Sequence, residues 1–135
     1  MLSIDYSFES PSQNLALDEV LLTHAGQENV EVLRFWESPK PFVVLGLTQK
    51  LHQEVNLESC EADNVPVRRR CSAGGCVIQG PGCLNYTLVL SKDLRPEIQS
   101  IQGSYSYIFN KLILEFGLEE LSKNGVSDLT LGDLK

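Results

Sequence analysis

Apolar and polar side chains alternate from the first residues of the chain. Leu2, Ile4, Tyr6 and Phe8 are separated by polar positions, the period of a half-buried strand over residues 1–9. The period then changes. Ser10-Pro11-Ser12-Gln13 offers an N-cap, a proline for the first helical position and a capping-box glutamine. Leu17, Val20, Leu21 and His24 fall on one stripe, which predicts a helix over residues 11–24 ended by Gly26. Residues 30–36 alternate again, with Val30, Val32 and Arg34 on one face and Glu31, Leu33 and Phe35 on the other. Apolar groups on both faces predict a well-covered strand. Residues 42–47 are nearly all apolar and contain Gly46, the pattern of a strand buried on both faces. Val55, Leu57 and Ala62 predict a helix over residues 51–63, and residues 65–70 a short strand ending in three arginines. Residues 75–79 and 84–90 read as two strands joined by the Gly80-Pro81-Gly82 turn. Pro96 opens a helix to residue 116, in which Ile98, Ile101, Tyr105, Ile108, Leu112 and Phe116 repeat at steps of three and four and Gly117 is the stop. The Tyr105, Phe109 and Phe116 series reads as core, and residues 128–134 as the start of a last strand. Strands and helices are mixed without strict alternation, so the fold class is α/β of the α+β kind, a mixed sheet with helices packed on it.

Composition narrows the functions open to such a fold. The chain has 135 residues, 42% of them apolar and 21% charged. That is one domain's worth of ordinary globular sequence, able to bury roughly two-thirds of its unfolded surface without disulfides or a structural metal. Eighteen acids against eleven bases leave a net charge of −7, which excludes a general nucleic-acid binder. No apolar run reaches the ~18 residues of a membrane span, and the N-terminus has no basic, signal-like region. The expectation is a cytoplasmic protein with neither nucleic-acid nor membrane partners. Cys60, Cys71, Cys76 and Cys83 contain no C-x-x-C, and only His24 and His52 accompany them, so no metal-ligand spacing emerges. The cysteines are expected to pack as small apolar residues in a reducing compartment.

Chemistry concentrates in Arg68-Arg69-Arg70-Cys71-Ser72-Ala73-Gly74-Gly75. Small residues let backbone N–H groups approach a ligand, successive amides make an anion-binding concavity, and arginine donates to phosphate or carboxylate. The pattern alone leaves two readings open: an anion-binding loop, or a turn beside a solvated basic patch.

Residues 69–86, which continue through Gln79-Gly80-Pro81-Gly82-Cys83-Leu84-Asn85-Tyr86, resemble the signature of the lipoate–protein ligase and octanoyltransferase family, roughly R-R-x-S-G-G-G-x-V-x-H-x-x-G-x-L-N-[YF]. Asn14-Leu15-Ala16-Leu17-Asp18-Glu19 is similar to that family's N-L-A-x-D-E helix. Arg34-Phe35-Trp36 and Val44-Leu45-Gly46-Leu47-Thr48-Gln49 are similar to its R-F-W and V-x-L-G-x-x-Q strands. The tail, residues 127–135, resembles the segment that ends in the family's essential lysine, here Lys135. Two positions depart from the pattern. Ala73 replaces the first glycine of the triplet, and Gln79 stands where many members carry His, which removes a group that titrates near neutral pH.

The resemblance implies a mixed, largely antiparallel sheet like that of class II aminoacyl-tRNA synthetases and biotin ligases, incomplete in this chain, because the family's domain is longer than 135 residues. Residues 1–135 would form a single, truncated catalytic domain, or one chain of a split enzyme. The implied reaction makes lipoyl-AMP from lipoate and ATP and passes the lipoyl group to a lysine. Acceptors would be lipoyl domains of 2-oxoacid dehydrogenase E2 subunits or the glycine cleavage H protein. Lys135 would contact the acyl carbonyl and phosphate as the catalytic cation. Arg70, Ser72, Ala73, Gly74, Gly75, Gln79, Gly82, Asn85 and Asp128 would bind substrate or adenylate, with Mg²⁺ arriving on ATP and held by Asp128. Leu17, Trp36, Val44, Gly46 and Val77 would line an apolar acyl channel, with plain core packing as their other reading. Two alternatives stay open: an ATP-independent octanoyltransferase working from octanoyl-acyl carrier protein through a cysteine, and a non-catalytic module that binds lipoate or another short acyl acid. No cysteine lies between Tyr86 and Lys135, the region where the family's thioester cysteine is expected, so the sequence leans toward the ligase.

Overall fold

The first alternating segment forms a short strand, β1 (Leu2–Asp5), which runs parallel to β2 (Val32–Trp36). β2 in turn pairs antiparallel with β6 (Asn85–Val89), placing Val32 opposite Val89 and Trp36 opposite Asn85. In a second sheet β3 (Phe42–Leu45) lies between β4 (Val67–Arg69), parallel to it, and β5 (Val77–Gln79), antiparallel to it. The structure, a computed structural model, describes residues 1–125, 128–132 and 134. By contact they divide into two units, Met1–Val89 and Leu90–Lys135.

The strands before and after Gly80-Pro81-Gly82 do not pair as a hairpin. β5 belongs to the second sheet and β6 to the first, so the bend carries the chain from one sheet to the other. Gly80 is buried there against Pro41, whose Cα would lie 3.1 Å from an added Cβ.

The first helix, α1 (Pro11–Glu28), runs past Gly26 and ends at Asn29, which takes the left-handed conformation (φ 53°). Pro11 opens it as expected, but Ser10 makes no side-chain capping bond. Its buried stripe is Pro11, Asn14, Leu21 and Ala25. Val20 and His24, expected on that stripe, are exposed. The register differs because the most deeply buried helical position is a polar one, Asn14, with 0% exposure.

Asn14 is satisfied on every side, as a buried amide must be. Its Oδ1 accepts from the Phe8 N–H (2.9 Å) and from Arg34 Nη2 (2.7 Å), and its Nδ2 donates to the Phe8 carbonyl (2.8 Å). Arg34, also 0% exposed, projects from the middle of β2. It donates to the carbonyls of Asn14 (2.8 Å) and Tyr6 (3.0 Å) and to the Asp18 carboxylate (2.6 Å), and it lies 5.2 Å from the Trp36 ring centre. One guanidinium thus ties the end of β1, helix α1 and strand β2 together. Apolar packing completes this unit in two clusters. Leu21, Ala25, Val32 and Val89 form one, with Leu17 and Ile4 against it, and Trp36, Phe42 and Val44 form the other with Leu15.

The helix expected over residues 51–63 is two short helices, α2 (Leu51–Glu54) and α3 (Leu57–Ala62). Asn56 separates them and caps the second, its side chain accepting from the Ser59 N–H at 3.1 Å. The four cysteines are unpaired; Cys60, Cys71 and Cys76 are half-buried and Cys83 is exposed, so none packs as the fully buried apolar residue expected.

In the second unit a 3₁₀ turn (Pro96–Ile98) precedes α4 (Ile101–Phe116). Ser100 caps α4 and Gly117 ends it at φ 61°. Ile98 and Phe109 are buried, but Ile101 and Phe116 are exposed, contrary to the predicted stripe. A hairpin of β7 (Leu121–Asn124), which the sequence pattern did not signal, and β8 (Asp128–Leu131) follows. Among the described residues two strand pairs are parallel and three antiparallel, the mixed, largely antiparallel arrangement expected. No helix among them is long and apolar enough to cross a membrane.

Candidate functional site

Helix α1 presents Leu15, Asp18 and Leu22 at steps of three and four, one face of a helix. These side chains meet the inner faces of β2, β3, β5 and β6 around a cavity of about 350 Å³, within the roughly 300–1,000 Å³ of small-molecule sites. Trp36, Val44, Leu88 and Val89 extend its apolar wall, and Arg70, Cys71 and Ser72 close one part of it with polar groups. Gln79, Asn85, Tyr86 and Thr87 complete the lining.

Two buried polar atoms of the wall, Trp36 Nε1 and Gln79 Oε1, have no hydrogen-bond partner. Asp18 reaches the cavity wall while its carboxylate is held by Arg34.

The loop after β4 is built by its own arginines. Arg70 Nη2 donates to the carbonyls of Ala73 (2.9 Å) and Gly75 (3.0 Å), and its Nε donates to Ser72 Oγ (3.1 Å). The Ser72 carbonyl accepts from the Leu47 N–H at 2.8 Å. The Gly74 carbonyl presses against Gly46, where an added Cβ would sit 2.0 Å from its oxygen. The four successive carbonyls are therefore all occupied, those of Ser72 and Gly74 by the turn after β3 and those of Ala73 and Gly75 by Arg70. A trans peptide sets its N–H opposite its C=O, and no peptide in the described chain is cis. Each N–H of Ala73, Gly74, Gly75 and Cys76 is directed away from the occupied carbonyl of its own peptide, and none has an acceptor among the described residues. Successive unpartnered amides are groups able to receive an anionic oxygen. Gly74, at φ 109°, supplies the one backbone conformation in the row that an L-residue avoids. Ala73 lies outside that region, so the alanine departure fits the loop without strain.

The remaining expected site residues divide. Trp36, Val44, Arg70, Ser72, Gln79 and Asn85 are brought together on the cavity. Arg70 is engaged with the loop itself rather than held ready for a ligand. Asn85 lines the cavity while its Nδ2 donates to the Cys83 carbonyl (3.1 Å). Gly82, at φ 85°, is anchored outside the wall by a 2.6 Å bond from its N–H to Glu37 Oε1. Three acyl-channel assignments are corrected. Leu17 turns to the Leu21 and Val32 cluster, and Leu15 and Leu22 take its place at the cavity. Val77 is exposed and not part of the wall. Gly46 accommodates the Gly74 carbonyl rather than an acyl chain. Asp128 lies in the second unit, opposite Asn124 in the β7/β8 hairpin, and Lys135 lies outside the described residues. Among the described residues no three His, Cys, Asp or Glu side chains converge to hold a metal.

Burial, and next the Glu19 carboxylate, push the Cys71 thiol above its ordinary pKa. The cavity's one cysteine is thus kept protonated. Leu15, Leu22 and Asp18 escaped sequence reasoning because the predicted stripe stood one step away. An arginine in the midst of an apolar strand, at Arg34, was the signal that a buried acid or amide faced it.

A profile of the lipoyl protein ligase A/B catalytic domain matches residues 10–135. A provisionally named lipoate-protein ligase A of Aeropyrum pernix is 32% identical over 126 residues, covering 93% of this chain and 46% of that protein. The octanoyltransferase LipM of Carboxydothermus hydrogenoformans is 34% identical over 123 residues, covering 90% and 45%. The bi-partite lipoate protein ligase of Thermoplasma acidophilum, whose structure was analysed with its E2 lipoyl domain, shares the fold with a TM-score of 0.80 at 20% identity, over 98% of this chain and 51% of that one. The chain thus spans less than half the length of these two relatives. It belongs to the lipoyl protein ligase A/B catalytic-domain family.

Proposed function

We propose that this chain carries the acyl-acid and adenylate-binding part of a lipoate–protein ligase, residues 1–135 forming one portion of a longer catalytic domain completed by further chain or a second polypeptide. The observation that carries the reading is an apolar cavity bounded by Arg70, Cys71 and Ser72, the start of a loop whose next four amides have no acceptor among the described residues. The wall of Leu15, Trp36, Val44 and Leu88 suits a medium acyl tail, each buried methylene contributing about 0.8 kcal/mol. The amides of residues 73–76 suit the oxygens of the acyl carboxylate and, after activation, of the acyl phosphate.

In the proposed reaction a lipoate carboxylate oxygen attacks the α-phosphorus of ATP and pyrophosphate leaves. The ε-amine of an acceptor lysine then attacks the acyl carbonyl, and AMP leaves as the amine gives up its proton. The chain's part is to hold the tail, fix the carboxyl group and meet developing negative charge with amides already oriented. Lys135 would add a cation to the leaving phosphate, and Mg²⁺ would come on the ATP phosphates, Asp128 being its expected carboxylate. The acceptors would be lipoyl domains of E2 subunits or the H protein. Four unpaired cysteines suit a cytoplasmic setting.

The LipM relative supports a second reading, ATP-independent octanoyl transfer through a thioester. Cys71, the cavity's own cysteine, is poorly suited to be that nucleophile, since a thiol held above its ordinary pKa supplies little thiolate. The chain's single tryptophan is in the cavity wall, so quenching of Trp36 fluorescence by lipoate tests the binding reading directly. Saturable quenching is expected, and its absence overturns it. With ATP, Mg²⁺ and an apo lipoyl domain, lipoyl-AMP and a lipoyl mass gain on the acceptor support the ligase. Transfer from octanoyl-acyl carrier protein without ATP supports the transferase.

A further inference from the structure

Arg69 is exposed and absent from the cavity wall, yet its guanidinium makes as many hydrogen bonds, three, as that of Arg70. Nη1 alone donates to the carbonyls of Gly46 (2.7 Å), Leu47 (3.1 Å) and Gln49 (2.8 Å). Those residues form the turn after β3, which also closes on itself: the Gln49 N–H donates to the Gly46 carbonyl and the Gly46 N–H to Gln49 Oε1. The same turn carries both contacts that hold the amide row from below, the Leu47 N–H bond to the Ser72 carbonyl and the Gly46 seat under the Gly74 carbonyl. Arg70 secures the Ala73 and Gly75 carbonyls from the side. The two neighbouring arginines therefore divide one task.

We propose that Arg69 is a positioning residue: by clamping residues 46–49 it sets the height of the amide row that receives an acyl acid's anionic oxygens, without touching the ligand. This rests on the acyl-acid reading of the cavity. A lysine cannot substitute, because its ammonium ends one bond short of Nη1 and is a hydrated point charge rather than a planar fork.

The test compares lipoate with lipoamide, which has the same tail and no anionic head, by Trp36 fluorescence in the 135-residue chain. Hydrogen bonds to an anion are about twice as strong as neutral ones, so the wild-type protein should bind lipoate about tenfold more tightly than lipoamide. Arg69→Met and Arg69→Lys should both remove most of that ratio and leave lipoamide affinity unchanged. In the unliganded variants the Leu47 amide should exchange with solvent faster in NMR spectra, the signature of an unlatched loop. An Arg69→Lys variant that keeps the wild-type ratio while Arg69→Met loses it would reduce the effect to bulk charge and overturn the proposal. Unchanged ratios in both, or an equal loss of lipoamide binding, would also overturn it. If the wild-type chain binds lipoamide and lipoate equally, the amide row does not read the anion; if it binds neither, the acyl-acid reading itself falls and the positioning role with it.

Discussion

Replacing Gly46 by alanine puts the loop's construction to its sharpest test. The added methyl would stand 2.0 Å from the Gly74 carbonyl oxygen, 3.0 Å from its carbon and 3.2 Å from its nitrogen. Side-chain carbons essentially never come within 3.0 Å of such backbone atoms, so the two segments must separate by about 1 Å, the difference between 3.0 and 2.0 Å. Neither is a flexible side-chain tip. β3 is paired on both edges, and the Ser72 and Gly75 carbonyls on either side of Gly74 are bonded to Leu47 and Arg70. Overpacking of this kind costs about 1–3 kcal/mol, or about 4 °C in melting temperature for each kcal/mol in a domain of this size. A hydrogen-bonding group moved by about 1 Å from near 2.9 Å lies beyond ordinary hydrogen-bond distance. Gly46→Ala should therefore melt at least about 4 °C lower and bind lipoate far more weakly in the Trp36 titration. Gly75→Ala is the matched control for stability, since its methyl meets nothing within 4 Å and its φ is not positive; its melting temperature should stay within about 2 °C of wild type. A Gly46→Ala chain with wild-type stability and lipoate affinity would refute the account of the loop.

Three further outcomes are expected. Arg34→Met leaves Asp18 and the Asn14 amide without their buried partner, and denaturant unfolding should show a loss of about 3–5 kcal/mol. Combining it with Asn14→Ala should cost less than the sum of the two single losses, because both remove the same bond, and additive losses would show the two residues acting separately. Alkylation of Cys71 by iodoacetamide, followed by peptide mass, should lag behind that of exposed Cys83 at pH 8. The gap should narrow as the pH rises, since burial and the Glu19 carboxylate raise the pKa of Cys71 and delay its thiolate to higher pH.

Local pattern carried far in this chain. Each expected strand is present and each is shorter than its pattern, since a strand stops where its partner does, not where its apolar run ends. β5 illustrates this: its three residues match three on β3 and no more. The 51–63 helix broke at Asn56 because a capping side chain competes with a weak apolar stripe. The turn at 80–82 signalled a hairpin, but turn chemistry says only that the chain bends, not which edge it bends toward.

From the sequence alone came the strand and helix types, the mixed fold class, and the arginine and glycine segment as the seat of chemistry. These are local properties, carried by period, capping residues and composition. Tertiary structure alone decided that Asn14 and Arg34 are the buried keystone of the first sheet, and that Leu15 rather than Leu17 faces the cavity. It also showed that Gly46 makes room for a carbonyl and not for a ligand. Each of those depends on what stands opposite a residue across 20 or more positions of chain, and side-chain period does not encode that. The loop after β4 is the clearest case: its four carbonyls are occupied only because Leu47, Arg70 and Gly46 come to them from elsewhere in the fold or across the loop.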